Sequence, residues 1–151
     1  MPELYFEDFT VGRVFDTEPW PLDEAQILAY ARKYDPQPYH TDKVAAEKTM
    51  FGGLIASGFH TVAIASGSFV RSGLLAAAGK GGPGMDDIRW LKPVQPGDVL
   101  RTKITVASAR VSQSKPDRGL VTFALETATD AGPVLTLTVT VIIGLRTPAT
   151  G

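Results

Sequence analysis

Cysteine is absent from the chain. That excludes a disulfide framework and a thiolate nucleophile, and it suits a reducing cytoplasm, the location expected for this protein. An excess of charge of either sign is missing too: 15 Lys and Arg stand against 16 Asp and Glu, interspersed, for a net charge of -1. Without a basic face there is no electrostatic footprint for a nucleic acid or an anionic bilayer, so neither is expected as a partner. The stretch from Met1 to Gly12 lacks the basic-then-apolar pattern of an export signal. Nor is there an uninterrupted apolar run of the ~20 residues that a bilayer span needs. The longest candidate, Leu54 to Ala78, is broken by glycines, serines, His60 and Arg71, and reads as a buried helix.

What is present suits one domain spanning residues 1–151, with 44% hydrophobic residues available for a core. Partial alternation predicts a first strand from Arg13 to Trp20, ended by Pro19-Trp20-Pro21. A helix follows: Asp23 can cap it, Gln26 completes a capping box, and Ile27, Leu28, Ala31 and Tyr34 recur at helical spacing. Pro36 disfavours helical backbone at Asp35, and Pro38 stiffens the segment that runs on to His40. A short helix from Asp42 to Lys48 is expected next, with Thr41 or Asp42 as its cap. The long helix is expected from about Leu54 or Ser57 to Ala78, apolar on nearly all sides. After a flexible Gly79-to-Gly84 connector, strands are predicted at Ile88 to Trp90, Val99 to Val111, Leu120 to Ala128 and Val134 to Leu145. Antiparallel strands in sequence plus one apolar helix imply an α+β domain in which a curved sheet wraps that helix.

The chemistry-bearing residues cluster in Asp35-Pro-Gln-Pro-Tyr-His40 and in Phe51-Gly-Gly-Leu-Ile-Ala-Ser-Gly58, at the mouth of the long helix. An acid and a histidine five residues apart, braced by prolines, can be aimed at one water molecule. The start of a helix offers unpaired amides and the positive end of a dipole, so the Gly58 N–H can polarise a carbonyl oxygen without a charged side chain. Adding water to an enoyl thioester needs a base, a proton donor and a stabiliser of charge on the thioester oxygen, and Asp35, His40 and Gly58 can supply them. Gln37, Ser57, His60 and Thr61 are further candidates to bind the oxyanion or substrate. Most of the site residues have a plainer reading, since Asp35 can cap a turn, Ser57 or Thr61 can cap a helix, and either histidine can be a satisfied packing residue. Trp20 and Trp90 read as packing residues. Arg71, Lys80, Arg89 and Lys92 are candidates for anionic phosphates, though isolated basic residues are usually plain solvated charges.

The string Asp35-x-Gln37-Pro38-x-His40, together with Phe51 to Gly58 and Arg89-Trp-Leu-Lys-Pro-Val-Gln-Pro-Gly-Asp98, resembles the MaoC-like dehydratases, which include the (R)-specific enoyl-CoA hydratases. The resemblance runs from Phe6 to the last strand. It implies a hot-dog fold, CoA thioester substrates, no metal, and no cofactor beyond the CoA carried by the substrate. It also implies a homodimer or dimer of dimers with a continuous sheet, Asp35 and His40 as catalytic residues, and Gly58 as the oxyanion-hole glycine. Gln37 stands where the best-known hydratases have Asn, and Ser57 where they often have His. Two rival functions are a hot-dog thioesterase, which typically has an acidic residue on the central helix, and a non-catalytic acyl-CoA-binding subunit. Leu54 to Ala78 contains no Asp or Glu, and a bare binding module has no need of the Asp35–His40 pair.

Overall fold

The computed structural model describes residues 2–147. Its elements in chain order are β1 (Val14–Asp16), β2 (Trp20–Pro21), α1 (Glu24–Tyr34), α2 (Pro38–Thr41), α3 (Lys43–Glu47), α4 (Gly58–Arg71), β3 (Gly84–Trp90), β4 (Val99–Val111), β5 (Arg118–Thr129) and β6 (Gly132–Gly144). The antiparallel sheet runs β1-β4-β5-β6-β3, with β2 also paired to β4. Its inner face wraps α4, as a hot-dog fold requires.

Alternation decides which face is inner. In β6 Leu135, Leu137, Val141 and Ile143 are buried while the intervening threonines are partly exposed, and β5 buries Val121, Phe123 and Leu125. Helix α4 meets this surface through Ile64, Ala65 and Phe69, the Phe69 ring lying 5.0 Å from that of Phe123. Phe9 closes the other side of Phe123 at 5.4 Å. A fully buried side chain of this size contributes about 1.5–3 kcal/mol, so this aromatic group anchors helix to sheet.

Several boundaries differ from the sequence-based expectation. The first strand divides in two at Thr17, whose N–H and hydroxyl both donate to the Thr102 carbonyl while the hydroxyl, in place of the Thr17 carbonyl, accepts from the Thr102 N–H. Pro19 precedes the second piece and Pro21 ends it, and neither has an N–H to donate. Helix α4 stops at Arg71, with Gly73 at φ 84° supplying the left-handed residue that ends a helix. Leu74 and Ala78 continue the apolar run only because they pack into the core from turns. Nor is α4 apolar all round against the core, since Phe59 and Val70 face solvent. Residues Pro38 to Thr41 form a single helical turn begun by proline, so His40 sits on α2 and not on an extended loop. The glycine connector is tied to β6, where Lys80 N–H donates to Ile142 and Gly81 accepts from it.

Candidate active site

The end of α1 and the start of α4 meet at Asp35. Asp23 caps α1 with Gln26 as its capping-box partner, and the helix ends at Asp35, whose extended φ of -157° turns its side chain toward the mouth of α4. The buried segment Leu54 to Ala56 is threaded between two neighbours: Ile55 N–H donates to the Tyr39 carbonyl (3.1 Å) and Ala56 N–H to the Val94 carbonyl (2.8 Å). That registers Ser57 and Gly58 against Asp35.

Asp35 and His40 are both buried, and both line a cleft of about 460 Å³. His40 Nδ1 lies 2.8 Å from the Ile55 carbonyl oxygen. A carbonyl only accepts, so Nδ1 carries a proton and the ring turns Nε2 toward Asp35. That nitrogen is 3.4 Å from Asp35 Oδ2, longer than the 2.7–2.9 Å or so of a direct charge-assisted hydrogen bond. The pair is spaced so that one water can reach both atoms.

The other contacts of Asp35 hold it as a carboxylate. Ser57 Oγ donates to Oδ2 (2.7 Å) and Gln37 Nε2 to Oδ1 (2.8 Å). Burial pushes the carboxyl up, but these two hydrogen bonds and the nearby His40 together hold it below the ordinary aspartate value. Ser57 is fully buried and also caps α4, accepting from the Phe59 N–H at 3.2 Å. One hydroxyl therefore joins the carboxylate to the helix start.

Gly58 opens α4 and borders the cleft, and among the described residues no acceptor takes its N–H. Its missing side chain leaves room for protein as much as for ligand: a Cβ there would lie 2.6 Å from the Trp90 indole. Trp90 Nε1 donates to the Gly58 carbonyl at 2.9 Å, and the half-exposed ring walls the cleft together with Phe59 and Leu91. This tryptophan is thus more than a packing residue. Trp20 instead carries the Arg71 guanidinium 4.5 Å above its ring, away from the cleft.

Of the remaining candidates, Gln37 and Thr61 line the cleft and Ser57 acts from behind Asp35. His60 lies elsewhere. It stacks on Tyr30, with centroids 4.3 Å apart and planes within 6°, and burial holds its imidazole below the usual histidine value. Lys92 borders the cleft, but its ammonium donates to the Ala131 carbonyl. Among the described residues no cluster of three or more His, Asp or Glu has metal-binding geometry. No helix there is long and apolar enough to cross a membrane.

A sheet wrapped around one helix, with a carboxylate and an imidazole in a cleft at that helix's mouth, defines a hot-dog domain with a candidate acid–base site. The chain belongs to the MaoC-like family: residues 7–128 match the family described as MaoC like domain. A MaoC-like dehydratase from Rhodospirillum rubrum, known from its crystal structure, is 38% identical, with a TM-score of 0.85 over 97% of this chain and 99% of that one. The uncharacterized protein YdeM of Bacillus subtilis is 32% identical over 82% of this chain and 86% of its own length. Protein MaoC of Klebsiella aerogenes is 30% identical over 74% of this chain, which spans only 33% of that relative's length.

Proposed function

We propose that the protein is an acyl-CoA hydratase/dehydratase, adding water reversibly and syn across a trans-2-enoyl-CoA to give the (R)-3-hydroxyacyl-CoA. The observation that carries this reading is the 3.4 Å separation of Asp35 Oδ2 and His40 Nε2, both opening into one cleft that ends at the free Gly58 amide. In this mechanism a water bound by both groups loses a proton to the pair as its oxygen attacks Cβ. Electron density moves through Cα to the thioester oxygen, where the Gly58 N–H and the positive end of α4 stabilise it. The pair then returns a proton to Cα, so the product gains one H and one OH, and dehydration is the reverse. The apolar wall of Phe59, Trp90 and Leu91 favours an acyl chain.

Two copies pairing through β3 would complete the assembly as a homodimer. Beyond its ladder with β6, β3 has no second partner strand among the described residues, and nearly all of it is exposed, as are Phe59 and Val70 on the outer face of α4.

The test follows the absorbance of the conjugated enoyl thioester when crotonyl-CoA is added. Wild type consumes it, while Asp35→Asn and His40→Gln each lose on the order of 10²–10⁴-fold in kcat, the usual worth of a positioned acid–base group. Release of free thiol in place of hydration would assign a thioesterase, and binding without turnover a silent subunit.

A further inference from the structure

Tyr39 occupies the unspecified position of Asp35-x-Gln37-Pro38-x-His40, and nothing in the motif calls for a tyrosine there. In the fold it meets His40 directly and is linked to Asp35 through Gln37. Its hydroxyl donates to Gln37 Oε1, and Gln37 Nε2 in turn donates to Asp35 Oδ1 at 2.8 Å. Its ring stands edge-on to the His40 imidazole, with centroids 4.4 Å apart and planes at 71°, and rests on Phe51 beyond. Its carbonyl accepts from the Ile55 N–H, and the Ile55 carbonyl accepts the His40 Nδ1 proton.

We infer that Tyr39 is a positioning residue for the proposed hydration, orienting Asp35 through the Gln37 amide while its ring orients His40. The inference rests on the reading given under Proposed function. A glutamine side chain is long and rotamer-rich, and its amide has a donor end and an acceptor end. Turned the wrong way, it would set an oxygen against the carboxylate. Because the tyrosine hydroxyl donates to the amide oxygen, it selects the orientation in which the NH2 faces Asp35. Tyr39 reaches Asp35 only through Gln37, so its hydroxyl acts on the carboxylate at one remove. With Gln37 standing where shorter Asn is common, the longer side chain gains a second anchor.

Tyr39→Phe removes the hydroxyl and keeps the ring against His40 and Phe51. Combined with Gln37→Ala it forms a double-mutant cycle read in two ways. The first is the titration of the Asp35 carboxyl followed by carbon NMR, which needs no substrate. Its midpoint moves upward in Tyr39→Phe and in Gln37→Ala, and the double variant moves no further than Gln37→Ala alone. The second is turnover of crotonyl-CoA. There kcat falls about 3- to 10-fold in Tyr39→Phe, the scale of one neutral hydrogen bond, while KM stays within about two-fold. An unmoved Asp35 titration in Tyr39→Phe, or effects that simply add in the double variant, would overturn the inference. If wild type turns over no enoyl thioester the hydratase reading fails, and the carboxyl titration still decides whether the tyrosine acts on Asp35.

Discussion

Ser57→Ala removes one oxygen atom and with it two links, because the same hydroxyl caps α4 and donates to Asp35. Loss of a serine cap costs about 1 kcal/mol. Loss of a hydrogen bond to a buried carboxylate costs about 1.5–3 kcal/mol more. A domain of this length shifts in Tm by roughly 2–4 °C per kcal/mol, so a fall of about 5–15 °C is expected at neutral pH. The pH dependence separates the two links. Ionised Asp35 has its carboxyl held below the unfolded value, so its contribution is full above pH ~4 and is lost as pH falls through the folded value. The gap in Tm between wild type and variant therefore narrows in acid to the cap's share alone. Thermal melts by circular dichroism from pH 7 down to about 3 read both effects. A shift below about 2 °C, or a gap that keeps its size in acid, would refute this account of how Asp35 is held.

Two further perturbations test neighbouring parts of the same structure. Gly58→Ala places a Cβ 2.6 Å from the Trp90 ring and breaks the indole's hydrogen bond, costing about 1–3 kcal/mol, and Trp90→Leu in that background recovers part of the lost stability; melts in which the second change adds to the damage would contradict the steric origin. His60 is held below its unfolded value by burial, so its contribution is complete above pH ~6.5 and declines as pH falls. His60→Phe keeps the stack on Tyr30 and gains in relative Tm below that pH, whereas parallel stability curves would show that His60 does not titrate as argued.

The parts of the fold that local pattern determines were legible in advance. The Asp23–Gln26 box set the start of α1, the strand expected at Val99 to Val111 forms as β4 with those bounds, and Asp42 capped α3. The end of α4 was not legible, because Leu74 and Ala78 pack from turns with the same composition that a helix would use, and the stop depends on one glycine's backbone angle. At the site, the spacing of Asp35 and His40 pointed to a pair, and the structure brings them to 3.4 Å. Their supports were hidden, since the Ile55 carbonyl is a backbone group and Trp90 reaches Gly58 across 32 residues of sequence. The helical period accounts for His60: two residues beyond Gly58 it is rotated by roughly 200° around the helix, whereas Thr61 returns to the side that faces the cleft.

Hydration carried out in deuterium oxide puts the shared-water arrangement to its most direct trial. If one water is split on one face of the substrate by Asp35 and His40, crotonyl-CoA yields a single product, with one deuterium at Cα, syn to the new hydroxyl, and one configuration at Cβ. Anti addition, a mixture of diastereomers or no hydrated product would contradict a carboxylate and an imidazole acting together on one bound water.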